Sequence, residues 1–153
     1  DLVRRMIAEG HMVGLHGEEH RAPFFRSRDE LAASLGRSKR ALEALTGTGI
    51  GVYRPSHGWK NRALLGAVGD VKLKMSFWNF GVWDTDAPPS PVLLARLHAV
   101  LDAAGLLGPT EPAPLVILHD GRGDEPTLPP HAATLLEALR QFLPAVKQPQ
   151  PPA

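Results

Sequence analysis

The sequence predicts an α/β fold, with parallel strands packed under helices. Three observations carry this reading. Helical and extended segments alternate along the chain. The extended segments are short, continuous apolar runs, the pattern of strands buried on both faces. Each run is followed by a cluster of polar and titratable residues. In such folds the working residues lie in loops past the carboxyl ends of the strands. The alternation suits an open sheet or a barrel.

The elements follow in order. Asp1 to Glu9 reads as a short helix with Leu2, Met6 and Ile7 on one face and Gly10 as its C-cap. Met12 to Leu15 is a first buried strand. Ser27-Arg-Asp-Glu30 is a capping box. It opens a helix with Leu31, Leu35, Leu42 and Leu45 at helical spacing, closed by Gly47. Ile50 to Tyr53 is a second strand, and a brief helix follows near Asn61 to Val68. Lys72 to Phe80 alternates loosely and is rich in aromatics, which predicts a third strand. Ser90 is expected to cap a helix carrying Leu93, Leu97, Val100, Leu101 and Ala104, ended by Gly105. Leu115 to Leu118 is the fourth strand. A last helix over His131 to Leu143 carries Leu135, Leu136, Leu139 and Phe142. One domain is expected over residues 1–143, followed by a disordered Pro-rich tail over 144–153.

Composition narrows the function classes. The 153 residues hold 43% hydrophobic side chains, enough for a real core, and a net charge of +1. That balance gives no reason to expect a nucleic-acid partner. There is no cysteine, which excludes disulfides and thiolate metal sites. No apolar run approaches the ~20 residues of a membrane span. The first residues, "DLVRRMIAEG", read as the middle of a domain.

Chemistry gathers at the predicted strand ends. After the first strand comes "HGEEH", after the second "RPSHG", after the third "WNFGVWDTD", and after the fourth "HDG". A purely structural sheet gives no reason for four such clusters. His16 and His20, four apart, can share one divalent metal; two solvated loop histidines are the plain alternative. His11 precedes its strand and is expected to bond locally. His16-x-x-Glu19-His20 also fits the H-x-x-E-H peptidase signature. That motif needs a helix, which Gly14, Gly17 and Pro23 oppose. Arg54 carries a rigid fork suited to a carboxylate, or to a surface ion pair. Asp84, between Trp83 and Thr85, is either a turn-former or the partner that fixes a histidine's tautomer. His119 closes the run "PLVIL" and could be a satisfied core residue. The tripeptide Arg122-Gly-Asp124 reads as a loop accident.

Taken in order, these motifs resemble the polysaccharide deacetylase domain (NodB homology, carbohydrate esterase family 4). "EGHMVGLHGEEH" looks like the family's second motif, "RPSHG" the third, "WNFGVWD" the fourth and "VILHDG" the fifth. The resemblance implies an irregular (β/α) barrel with parallel strands and outer helices, here incomplete. It implies metal-dependent hydrolysis of acetyl groups, usually the N-acetyl of N-acetylglucosamine polymers. The partner is then an acetylated polysaccharide or oligosaccharide. The cofactor is a divalent metal, zinc in the first place, with cobalt, nickel or manganese as alternatives. His16 and His20 would be metal ligands. Arg54 would orient the catalytic base, Asp84 would tune His119, and His119 would protonate the leaving amine. Trp83 and Ile117 would line the acetyl pocket, and the His57 N–H would meet the oxyanion. Such a metal polarises the carbonyl and lowers the pKa of bound water, while the donors hold the tetrahedral oxyanion.

The sequence departs from the pattern in three places. Gly17 replaces a Ser or Thr, and Ser56 replaces a proline. The first motif, T-F-D-D-G, which supplies the base and a third ligand, is absent, and no Asp-Asp pair occurs anywhere. The expectation is therefore a truncated domain, inactive alone, with an exposed sheet edge able to drive self-association. The alternatives are a non-catalytic remnant that binds sugar or metal, and the metallopeptidase. The resemblance also implies a place outside the cytoplasm, at the cell envelope.

Overall fold

The computed structural model describes residues 2–105, 113–120 and 130–146. The chain divides into two compact units, Asp1–Phe77 and Trp78–Ala153. Each has its own hydrophobic core.

In the first unit α1 spans Leu2–Ala8 and α2 spans Arg28–Thr46. Strand β1 is Val52–Tyr53, α3 is Arg62–Asp70 and β2 is Lys74–Met75. Helix α1 ends as its glycine predicts. Gly10 takes φ 85, its N–H donates to Ile7 O, and the His11 N–H donates to Met6 O. These are the two bonds of a Schellman cap. Helix α2 starts on the predicted capping box: Ser27 Oγ accepts from the Glu30 N–H, and the Ser27 N–H donates to Glu30 Oε2 at 2.7 Å. Gly47, at φ 71, closes it.

Strands β1 and β2 pair in parallel, Val52 opposite Lys74 and Tyr53 opposite Met75. The run Met12 to Leu15, expected as a strand, is reduced to one parallel bridge between Leu15 and Tyr53. The Leu15 N–H donates to Val52 O and the Arg54 N–H to Leu15 O, both at 2.8 Å. A Cβ on Gly14 would stand 3.0 Å from Val52 O, so a glycine permits this approach. Leu31 and Leu35 of α2 and Leu64, Ala67 and Val68 of α3 recur at three- and four-residue spacing. They close over Leu15, Ile50, Tyr53 and Leu73. Burying each leucine contributes about 1.5–3 kcal/mol.

In the second unit β3 is Phe80–Gly81, α4 is Ser90–Gly105, β4 is Val116–Ile117 and α5 is Pro130–Phe142. Strands β3 and β4 pair in parallel, Phe80 opposite Val116 and Gly81 opposite Ile117. The core joins Val82, Leu93, Leu97 and Val100 to Leu135, Ala138 and Phe142.

Two expectations are corrected. The single strand over Lys72 to Phe80 is two strands, β2 and β3, each paired within its own unit. Ser90 does not cap α4: it is the helix's first residue, and its buried Oγ has no hydrogen-bond partner among the described residues. The Val92 and Leu93 N–H groups turn to Pro89 O instead. At the end of the chain Leu143–Ala145 form a 3-10 turn and Val146 packs on the core. Residues 147–153, and the Arg122-Gly-Asp124 tripeptide, lie outside the described residues.

Candidate active site

The parallel pairing sets the placement within each unit. In the first, His16 follows the bridge residue Leu15, and Arg54 follows β1. In the second, Trp83 and Asp84 follow β3, and His119 follows β4. Each unit thus carries its titratable residues just past strand carboxyl ends.

In the first unit three imidazoles cluster. The His16 and His20 rings have centroids 5.1 Å apart, and His20 meets His57 edge-on at 4.4 Å. His16 Nδ1 lies 2.8 Å from Arg54 O. A carbonyl only accepts, so Nδ1 carries a proton, and in the neutral ring the lone pair is on Nε2. That tautomer suits a metal ligand, oriented by a backbone carbonyl behind it. Ser56, buried, donates its Oγ to His16 O at 3.3 Å and joins the two loops. His57 takes φ 57, a costly conformation for a non-glycine residue. Gly17 takes φ 113, where a Ser or Thr would be strained. Residues 16–20 form no helix, so the helix that an H-x-x-E-H peptidase needs is missing.

The donor set is short. Among the described residues no three His, Asp or Glu side chains converge to hold a metal ion. A catalytic zinc typically has three protein ligands, so the two imidazoles fit part of a centre and do not complete one. The neighbouring glutamates are engaged elsewhere. Glu18 accepts from Arg37 Nη2 at 2.7 Å and from Ser34 Oγ at 2.8 Å, while Glu19 pairs with Arg21. Arg54 shows the complementary feature: its buried Nε has no partner among the described residues.

The Glu18 contacts have a pH consequence. Hydrogen bonds from Arg37 and Ser34 hold its carboxyl below the usual carboxylate range. The folded state therefore takes up this proton less readily than the unfolded chain. Its contribution is present above the unfolded carboxylate pKa and is lost as pH falls through the lower folded value. We expect a lower melting temperature at pH 3 than at pH 7, and a smaller difference in Glu18→Gln. Thermal unfolding at the two pH values checks this; an unchanged difference would show that Glu18 plays no part in it.

In the second unit Asp84 is buried, and both its oxygens serve His119. The His119 N–H donates to Oδ2 at 2.6 Å, and Nδ1 lies 3.1 Å from Oδ1. The carboxylate accepts from Nδ1–H, which leaves Nε2 to exchange protons. Arg96 Nη1 donates to Val82 O and Trp83 O and braces the backbone before Asp84. Trp83 is exposed at φ 54, and Ile117 of β4 lies opposite Gly81 of β3. An apolar recess of about 430 Å³ opens beside His119, lined by Leu118, Ala132, Leu135, Leu136 and Leu139. Arg96, Ser34 and Arg37 were not marked by any motif.

The polysaccharide deacetylase family matches residues 1–76. The whole chain is also similar to solved structures. One is a family 4 carbohydrate esterase pseudoenzyme from Bacillus anthracis (20% identity, TM-score 0.71), matched over 94% of this chain and 44% of that one. Another is a polysaccharide deacetylase from Bacillus cereus (23%, 0.68), over 95% and 68%. A third is a peptidoglycan deacetylase from Bacillus subtilis (19%, 0.63), over 91% and 61%. The chain spans less than half the length of the pseudoenzyme. At these identities the likenesses show the fold. It is that of the polysaccharide deacetylases, in which parallel strands carry outer helices, and no closed sheet is present among the described residues. No curated protein matches the chain in sequence. None of the described helices is long and apolar enough to cross a membrane.

Proposed function

We propose that the chain carries part of the active site of a metal-dependent hydrolase that removes acetyl groups from N-acetylglucosamine-type polysaccharide. The buried Asp84 carboxylate, holding both the N–H and the ring of His119, is the observation that carries this reading. An amine leaving group departs only when protonated. His119 Nε2 gives that proton, and Asp84 steadies the imidazolium when His119 is charged. The His57 N–H, in its left-handed turn, donates to the oxyanion. Arg54 is aimed at a carboxylate base, and its unpartnered Nε is the group that such a carboxylate would satisfy. Trp83 and Ile117 border the acetyl methyl. His16 and His20 would be two ligands of a divalent metal, zinc before cobalt, nickel or manganese, which would polarise the acetyl carbonyl. The family's paired aspartates, which would supply the base and a further ligand, have no counterpart here, because the sequence contains no Asp-Asp pair. The 153 residues alone are expected to be inactive.

Two observations favour a second reading, a non-catalytic sugar- or metal-binding remnant. Among the described residues no three donor side chains converge on a metal, and one structural relative is a pseudoenzyme. Peptidoglycan deacetylases among the relatives favour a cell-envelope setting. Met12 is 80% exposed beside the Leu15 bridge, and this edge is the proposed route to self-association. Acetate release from N-acetylglucosamine oligomers tests the function, with casein cleavage as the peptidase comparison. The 153-residue chain should give neither product. Casein cleavage abolished by His16→Ala would overturn the deacetylase reading.

A further inference from the structure

Beside the histidine cluster lies a feature that no motif accounts for. Phe24 and Trp59 are 43% and 47% exposed, and their rings sit 5.4 Å apart with planes inclined by 36°. Trp59 also stacks on His57 at 4.9 Å. An unbroken row of rings thus runs from His16 through His20, His57 and Trp59 to Phe24. The two aromatics come from different loops, one after His20 and one after β1, and a specific contact joins those loops. Asn61 caps α3 by accepting from the Leu64 N–H at 2.8 Å, and its Nδ2 donates to Pro23 O at 3.2 Å. Pro23 is buried, so the residue that follows it starts from a fixed point. The exposed pair is therefore held in place.

We propose that Phe24 and Trp59 form a stacking platform for a pyranose ring of the polymer, next to the sugar whose acetyl group reacts. This rests on reading the chain as a polysaccharide deacetylase segment. A pyranose has an apolar face of C–H groups and a polar rim, and C–H groups are attracted to the negative face of an aromatic ring. Two half-exposed, inclined rings meet such a ligand with one side while its hydroxyls stay in water. The row of rings from His16 gives the platform its substrate: a chain bound at the histidine cluster continues onto Trp59 and Phe24. A free monosaccharide reaches only one of the two places, so the platform selects for chain length.

Calorimetric titration of the 153-residue chain with N-acetylglucosamine and its tetramer and hexamer tests this, with zinc titrated separately. The hexamer should bind more tightly than the monosaccharide. Trp59→Ala and Phe24→Ala should each weaken hexamer binding by roughly tenfold and leave zinc binding and circular dichroism unchanged. Trp59→Phe should keep most of the affinity. Asn61→Ala should weaken hexamer binding with both rings still present. Hexamer binding that is absent from the parent chain, or equal in parent and Trp59→Ala, overturns the platform while leaving the metal reading intact. Hexamer binding that depends on Trp59 in a chain that binds no zinc supports the platform and removes the metal site.

Discussion

Replacing Asp84 with alanine is expected to destabilise the second unit by roughly 1–3 kcal/mol, because it strips two donors of their shared acceptor. The His119 N–H and the ring Nδ1 both lose their partner, and β4 loses its tie to the turn after β3. A fall in the urea midpoint with an unchanged slope is the expected result. Asp84→Asn separates structure from chemistry. The amide keeps the shape and one acceptor oxygen, but its NH₂ cannot accept from Nδ1–H. In an active, completed enzyme this variant should lose ~10²–10⁴ of the rate. A completed enzyme that kept full rate after Asp84→Asn would show that this pair has no catalytic role.

The second large effect concerns zinc. The parent chain should bind it weakly, since two imidazoles leave the ion short of the usual three ligands. His16→Ala or His20→Ala should lower that affinity further, by about 100-fold or more, because loss of a mere orienting partner already costs up to that much. Arg54→Ala keeps its backbone carbonyl, so the His16 Nδ1 bond and zinc binding should persist. Titration calorimetry reads all three. Tight stoichiometric binding that survives the loss of either histidine would place the metal elsewhere.

What the sequence disclosed and what it withheld follow from how local each signal is. The start and end of α2 were legible, because the Ser27–Glu30 box and Gly47 act within one helical turn. The pairing of Asp84 with His119 was legible only through the order of the motifs, since the two residues are far apart in the chain and meet through parallel pairing. The break between β2 and β3 was hidden. Aromatics run on from Phe77 through Phe80, and nothing local shows that Lys74 pairs with Val52 while Phe80 pairs with Val116. Ser90 misled because Ser before a helical run is a strong cap signal, whereas here Pro89 O takes the first bonds. Trp59 and Phe24 could not be joined on paper. Their meeting depends on Asn61 reaching back to Pro23, a contact without a pattern.

The central proposal is that His16, His20, Arg54 and His119 serve deacetylation once the family's paired aspartates are supplied. The most direct measurement joins the 153 residues to a segment bearing the family's first motif, T-F-D-D-G, and follows acetate release from an N-acetylglucosamine oligomer with zinc present. The account predicts acetate release from the joined protein, none from the 153 residues, and none from the joined protein carrying His119→Ala. A joined protein that folds and binds zinc yet releases no acetate, or releases it undiminished after His119→Ala, would contradict the account.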